Sequence, residues 1–275
     1  MHFDLVQSLS LNGSAEIAND DRAGSKARCA WIIDGATDLG PAGLLGDQGG
    51  AAWLSATADA GFGMSSADCL SDTCRQVFDH VAGRFAAERR RDPEGAWELP
   101  SASFAAVQLS DGELEVAWAA DCVVLLRSGT EVRWCTPAPD RAKEASDAAA
   151  LGAGIGAQGV RSAGVLADRR AHRSRPGRQV LGVEAGAAAA VTRSTIVPIA
   201  SGDSVLLLTD GFSALIDAYR RYSAGELFEA VVARGLAALG QELRAVEAED
   251  ADCLRYPRFK RSDDATALWV RVAGR

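Results

Sequence analysis

Residues 103–135 read SFAAVQLSDGELEVAWAADCVVLLRSGTEVRWC, and this stretch decides the predicted fold. Its apolar or alternating runs predict four β-strands: Ser103–Leu109, Glu113–Ala119, Cys122–Arg127 and Glu131–Cys135. Asp111-Gly112 and Ser128-Gly129-Thr130 separate two pairs of these runs, and Asp-Gly is a favoured hairpin turn. Strands joined by short turns pair antiparallel, because a parallel pair needs a crossover of about a dozen residues. The sequence therefore predicts an antiparallel meander and disfavours a doubly wound parallel sheet.

Outward from this meander, further strands and helices are predicted on both sides. The remaining strands are expected at Phe3–Leu11, Arg28–Asp34, Ser194–Ile199, Asp203–Thr209 and Thr266–Val272. Helices are expected at Gly50–Ala60, Ser66–Arg91 and Ser223–Leu243, where apolar residues recur at steps of three and four. This order of elements favours antiparallel sheet covered by helices, in a single domain over residues 1–275.

Residues 136–190 differ from the rest of the chain. They show little periodicity and contain several glycines, so we predict a mobile flap inserted in the domain. Within it, the run from Asp168 to Arg178 is strongly basic. Such a run binds phosphate or an acidic partner, or it is simply a solvated loop, and the sequence leaves these alternatives open.

The composition excludes several classes of protein. The 275 residues are 48% hydrophobic and 24% charged, which excludes disorder and coiled coil as the main description. A net charge of −8 argues against a sequence-independent nucleic-acid binder. No apolar run is long enough to span a membrane, and the chain does not begin like a signal peptide. Six cysteines without a Cys-x-x-Cys pair fit free thiols in a reducing cytoplasm, and 26 Arg against 3 Lys are typical of a GC-rich bacterial genome.

Aspartate is the unusual component, with 23 Asp against 14 Glu, and several Asp stand at strand ends. Asp34-Gly35 follows Trp31-Ile32-Ile33, Asp210-Gly211 follows an apolar run that ends at Thr209, and Asp263-Asp264 precedes the last strand. Carboxylates that converge in this way repel one another unless a cation lies between them. Their hard oxygens suit Mg²⁺, Mn²⁺ or Ca²⁺ better than Zn²⁺. A single Asp-Gly pair is usually an ordinary turn, and Asp111-Gly112 is one.

Five motifs together resemble the metal-dependent protein phosphatases of the PP2C (PPM) family. They occur in the family's order and cover nearly the whole chain: Asn19-Asp20-Asp21, Asp34-Gly35, Ala120-Asp121, Thr209-Asp210-Gly211-Phe212 and Asp263-Asp264-Ala265-Thr266. The resemblance implies an α+β fold, a four-layer α-β-β-α sandwich of two antiparallel sheets flanked by helices. It also implies a Mg²⁺- or Mn²⁺-dependent phosphatase, with two ions and a weaker third, that acts on phosphoserine or phosphothreonine of a phosphoprotein.

The resemblance also implies a role for each motif. Asp34 would bridge two metal ions, and the Gly35 carbonyl would bind one of them. Asp210 and Asp263 would hold the other ion, so that Asp34, Asp210 and Asp263 form the catalytic set around a metal-activated water. Asp20 or Asp21 would hold metal-bound water, and Asp121 would belong to the weaker third site.

Some positions depart from the family pattern and leave a second function open. No Arg precedes the acidic pair, so Arg22, just after it, is the candidate for binding the substrate phosphate. Ala36 stands where some members have a His acid, and Ala214 replaces a usual Asp. The alternative is therefore a catalytically weak or inactive binding or scaffold protein with the same fold.

Overall fold

Ten β-strands form two antiparallel sheets in the computed structural model, which describes residues 1–46 and 49–274. One five-stranded sheet, sheet A, has the order β1 (His2–Leu11), β10 (Ala265–Ala273), β9 (Ser204–Leu208), β6 (Val123–Ser128) and β7 (Glu131–Trp134). The other, sheet B, has the order β2 (Arg22–Lys26), β3 (Cys29–Gly35), β4 (Ala102–Ser110), β5 (Glu113–Ala119) and β8 (Arg193–Pro198). The antiparallel prediction is confirmed.

The two sheets pack face to face because their central strands are apolar on both sides. In β3, Ile32 packs between the sheets, while Ile33 faces the helices outside sheet B. In β9, Leu207 packs between the sheets and Leu206 faces the opposite helices. This two-sided burial explains the continuous apolar runs in strands whose side chains alternate between faces.

Helices cover the outer face of each sheet and complete the predicted α-β-β-α sandwich. The helices α1 (Gly50–Met64) and α2 (Leu70–Glu88) pack on sheet B through an aromatic group that includes Phe62, Phe78 and Phe104. The helices α7 (Ala224–Arg234) and α8 (Leu236–Glu249) pack on sheet A. We predicted them as one helix, but Gly235 separates them with a φ of +80°, a conformation that suits glycine.

The predicted four-stranded meander is divided between the sheets. Strands β4 and β5 pair in sheet B, whereas β6 and β7 pair in sheet A, so β5 and β6 are not neighbours. The chain crosses from one sheet to the other at Ala120, whose φ is +65°, and Asp121 follows directly. A short link between two strands can thus turn a corner between sheets instead of closing a hairpin, and here it brings a carboxylate to the junction.

Residues 136–190 are more regular than the sequence suggested. They contain three helices, α3 (Ala142–Leu151), α4 (Ala163–Arg173) and α5 (Ala185–Val191). Most of the basic run lies in the last turns of α4. The mobility of residues 136–190 stays a prediction.

Strand β2 was not predicted from the sequence, because it contains little apolar character.

Two further observations concern the whole described chain. No helix in residues 1–46 and 49–274 is both long and apolar enough to cross a membrane. All six cysteines are free thiols, and five of them are buried.

The backbone contact at Gly211 gives a test of the fold. A Cβ on Gly211 would overlap the carbonyl oxygen of Asp264, so we expect Gly211→Ala to lower the free energy of unfolding by about 1–3 kcal/mol or more. The matched control is Gly83→Ala in the exposed middle of α2, where a Cβ meets nothing within 4 Å. This control should gain about 0.5–1 kcal/mol. Equal effects of both substitutions in urea unfolding would contradict the contact.

Candidate active site

A cavity of about 530 Å³ opens where strand ends of the two sheets meet, and four strand-end aspartates are among the residues that line it. Asp34 is the penultimate residue of β3, and Asp121 lies at the crossing between β5 and β6. Asp210 begins a short helix, α6 (Asp210–Ser213), directly after β9, and Asp263 lies two residues before β10. The structure thus brings together the four carboxylates that the sequence placed at separate strand ends.

Two basic side chains lie among these carboxylates. The Arg141 guanidinium forms an ion pair with Asp210, with 2.7 Å between Nη2 and Oδ2, and both side chains are 19% exposed. Lys260 forms an ion pair with Asp263, and its Nζ also donates a hydrogen bond to Thr37 Oγ1 at 3.2 Å. Side chains therefore supply positive charge to Asp210 and Asp263.

The pKa values of the carboxylates differ, because only some of them form an ion pair with a basic side chain. Burial alone would raise the pKa of Asp210, but Arg141 and a hydrogen bond from Asp34 bring it below the ordinary value. Burial, followed by the charge of Asp210, raises the pKa of Asp34 well above the ordinary range and that of Asp121 to about 6. Burial also raises the pKa of Asp263, although Lys260 opposes the shift. The repulsion between the carboxylates is therefore least compensated at Asp34 and Asp121.

Asp21 lies behind this group and is almost completely buried. The Thr209 hydroxyl donates a hydrogen bond to Asp21 Oδ2 at 2.9 Å. Asp21 Oδ1 is buried and has no hydrogen-bond partner among the described residues. Burial and the charge of Asp263 raise the pKa of Asp21 well above its usual value. A buried carboxylate oxygen without a donor is a feature that a cation could satisfy.

Asp20 and Asp264 hold the backbone around the site. Asp264 accepts hydrogen bonds from the backbone N–H of Gly13 at 2.7 Å and of Asp20 at 2.6 Å. The Asp20 carbonyl accepts a hydrogen bond from the Gly35 N–H at 3.2 Å. Burial, Asp264 and Asp38 raise the pKa of the Asp20 carboxyl to about 7. Gly35 has no room for a side chain, because a Cβ would press against the Asp20 carbonyl and Ser55 Oγ.

Arg22, the sequence-based candidate for phosphate binding, does not line this cavity. Its guanidinium donates hydrogen bonds to the backbone carbonyls of Asn19 at 2.7 Å and Asp21 at 2.6 Å. These contacts engage the Arg22 side chain with the backbone of the acidic segment, and its role in phosphate binding stays a prediction.

Several other residues of the site were not predicted from the sequence. Arg141 lies far from its partner Asp210 in the chain, whereas Lys260 lies three positions before Asp263. No local pattern marks either of them. The cavity is also lined by basic side chains from residues 136–190, namely Lys143, Arg169, His172, Arg173 and Arg178. Only the basic run from Asp168 to Arg178 gave a signal, and it did not indicate where the run would lie.

The donor atoms of the cavity suit a hard cation. Carboxylate oxygens of Asp34, Asp121, Asp210 and Asp263 line one space, with the unpartnered Asp21 Oδ1 behind them. Oxygen donors of this kind are those that Mg²⁺ and Mn²⁺ take. Among residues 1–46 and 49–274, however, no three His, Cys, Asp or Glu side chains are already grouped as a metal site. The chemistry of the residues thus fits a metal, while Arg141 and Lys260 pair with two of the carboxylates.

Comparison with known proteins identifies the fold. No family model and no curated protein matches the sequence. Among solved structures, the Mycobacterium tuberculosis serine/threonine phosphatase PstP/Ppp matches with a TM-score of 0.58 at 16% identity, covering 100% of both chains. A PstP catalytic domain in complex with two manganese ions gives the same score and identity over 99% of both chains. The PPM Ser-Thr phosphatase MsPP from Mycobacterium smegmatis, in complex with cacodylate, matches with a TM-score of 0.53 at 16% identity over 98% of this chain and 99% of its own.

These matches extend over almost the entire chain, and they agree with the two five-stranded antiparallel sheets and their outer helices. The chain therefore has the fold of the PP2C (PPM-type) serine/threonine phosphatases.

Proposed function

We propose that this protein is a metal-dependent phosphatase that hydrolyses phosphoserine or phosphothreonine on proteins. The observation that carries the proposal is the convergence of Asp34, Asp121, Asp210 and Asp263 on one cavity of a PPM-type fold. Four carboxylates that line one cavity repel one another, and bound cations would compensate this repulsion.

Mg²⁺ or Mn²⁺ is the proposed cofactor, and a solved structure of the same fold holds two manganese ions. Asp34, the Gly35 carbonyl, Asp210 and Asp263 would hold two ions, with Asp121 at a weaker third site and Asp20 or Asp21 behind. The ions would lower the pKa of a bound water and offset the charge of the phosphoryl oxygens.

The chain's own residues prepare the carboxylates for this role. Arg141, together with hydrogen bonds from Asp34 and the Gly211 N–H and with the charge of Lys260, outweighs burial and brings the pKa of Asp210 below its ordinary value, so Asp210 is ionised at neutral pH. Lys260 holds Asp263 and is itself positioned by the Thr37 hydroxyl, two residues beyond Gly35. The contact between Gly211 and the Asp264 carbonyl fixes the distance between the chain segments that carry Asp210 and Asp263.

A second candidate is a binding or scaffold protein of the same fold that is catalytically weak or inactive. The observation in its favour is that Arg141 and Lys260 already pair with Asp210 and Asp263. Titration calorimetry with Mn²⁺ and a phosphopeptide separates the two candidates. Tight peptide binding without turnover supports the scaffold, whereas Mn²⁺ binding with turnover supports the phosphatase.

Removing one carboxylate tests the phosphatase. We expect Mn²⁺-dependent hydrolysis of p-nitrophenyl phosphate, and a decrease on the order of 10²–10³-fold in kcat for Asp34→Asn and Asp210→Asn. Asp111→Asn is the matched control, because Asp111 forms an exposed Asp-Gly turn away from the cavity. A folded, Mn²⁺-loaded protein without hydrolysis would refute the phosphatase.

The raised pKa values predict a pH-dependent response to metal. Asp121 and Asp20, with pKa values of about 6 and 7, keep their protons longer in the folded chain than in the unfolded one. Their contribution to stability is complete below their unfolded pKa and is lost as the pH rises through these values. The metal-free protein should therefore lose stability between about pH 4 and 7, because the unfolded chain releases these protons at a lower pH than the folded chain does.

Metal should reverse this trend, since Mn²⁺ binds only the deprotonated carboxylates. At 100 times its Kd, Mn²⁺ should stabilise the protein by about 2.7 kcal/mol, and its affinity should increase toward pH 8. Thermal unfolding from pH 4 to 8, with Mn²⁺ or with a chelator, measures both effects, and Asp121→Asn should remove the part between about pH 4 and 6. A pH-independent Mn²⁺ affinity would contradict the proposed ligands.

A further inference from the structure

The basic run that the sequence left without a role has two kinds of arginine. Arg170 donates hydrogen bonds to the Leu39 carbonyl at 2.6 and 3.0 Å and stacks on Trp97, with 4.0 Å between Cζ and the ring centroid. Arg169 pairs with Asp168 at 2.6 Å and stacks on Phe259 at 3.8 Å. These two side chains are engaged by protein groups and hold α4 in place.

Arg173 and Arg178 are different, because their charge has little compensation from the protein. Both line the cavity that contains the four aspartates. Within the described part of the chain, Arg173 makes no hydrogen bond and no ion pair, although its side chain is partly buried. The hydrogen bond that the structure records for Arg178 is a long one, 3.3 Å from Nη2 to Ser101 Oγ.

The two guanidinium groups also affect each other. Burial, followed by the charge of Arg178, lowers the pKa of Arg173 to about 10, and burial lowers the pKa of Arg178. Both groups therefore remain charged at neutral pH while repelling one another. An anion between them would relieve this repulsion and replace the water lost on burial.

Their position lies next to the turn that follows Asp34. Ser101, which contacts Arg178, accepts a hydrogen bond from the Ala36 N–H at 2.9 Å through its backbone carbonyl. The aspartates whose charge acts on Arg173 are Asp38 and Asp20. The cavity thus contains two guanidinium groups that form no ion pair, together with the four strand-end aspartates.

We propose that Arg173 and Arg178 bind the oxygens of the substrate's phosphoryl group. The inference rests on the proposed phosphatase function and gives the chain a phosphate-binding pair in place of Arg22. Planar guanidinium groups match phosphate oxygens with two parallel N–H donors, and two such groups match the double charge of a phosphate monoester. The phosphoryl group would then lie between the arginines and the four strand-end aspartates, where the proposed ions act.

Inorganic phosphate is the probe, because its binding does not depend on turnover. Titration calorimetry on the full chain, freed of metal with a chelator, should show phosphate binding that weakens at least about tenfold in Arg173→Ala and in Arg178→Ala. Arg173→Lys should weaken binding less than Arg173→Ala, since it keeps the charge and loses the paired donors. The matched control is Arg175→Ala, an exposed arginine of the same run outside the cavity, which should bind phosphate within twofold of the unaltered protein.

Thermal unfolding of each variant shows whether the variant is folded, and so distinguishes a loss of phosphate binding from a loss of folding. The proposal is overturned if the unaltered protein binds no phosphate, if the Arg173 and Arg178 variants bind it equally well, or if Arg175→Ala loses as much. It is supported if acetate at the same concentration fails to compete, because a general carboxylate site would accept it.

Hydrolysis assays separate this inference from the proposed function. If p-nitrophenyl phosphate is hydrolysed and both alanine variants raise KM about tenfold or more, the two proposals stand together. If hydrolysis occurs with an unchanged KM in both variants, the phosphatase stands and the arginine pair is refuted. If phosphate binding depends on the pair but no Mn²⁺-dependent hydrolysis is found, the pair stands and the phosphatase fails.

Discussion

Repulsion between carboxylates in one cavity is the constraint on which this structure depends. Two unit charges about 5 Å apart repel by about 3 kcal/mol at an effective dielectric constant of 20, and the four strand-end aspartates share one cavity here. Arg141 and Lys260 offset part of this energy at Asp210 and Asp263, and the raised pKa of Asp34 favours its protonated form, which offsets another part. The sandwich supplies the rigidity, because Asp34 and Asp210 lie at the ends of strands that are almost entirely buried.

The strand-end aspartates could be predicted because they obey a local rule. An apolar run buried on both faces ends in a polar residue where the strand leaves the core, and the runs before Asp34 and Asp210 show this directly. Arg141 and Lys260 obey no such rule. The partner of Arg141 is Asp210, far away in the chain, and Lys260 lies near Asp263 but in a loop without periodicity. Strand β2 was missed because Gly24, Ser25 and Lys26 carry no apolar alternation, and it is held in place by pairing with β3. The break at Gly235 was missed because the apolar stripe continues through it.

The division of the meander between the two sheets shows how one unusual backbone conformation helps to build the site. A hairpin between β5 and β6 would have kept Asp121 on one sheet, away from strand β9. The left-handed conformation of Ala120 turns the chain into the other sheet, where β6 pairs with β9. Ser103 Oγ accepts hydrogen bonds from the N–H groups of Asp121 and Cys122 at 2.9 and 2.6 Å, which fixes the crossing against β4. The contact between the sheets therefore includes a functional side chain as well as apolar packing.

The hydrogen bonds of Asp264 also decide when the site can exist during synthesis. Its carboxylate receives the N–H groups of Gly13 and Asp20, and β1 pairs with β10 along nearly its full length. A nascent chain that has not yet released residues 263–273 from the ribosome lacks both this clamp and the carboxylate of Asp263. The acidic segment at residues 19–21 then stays without its Asp264 contact until these residues emerge. The carboxylate group in the cavity is therefore complete only after β10 can pair with β1.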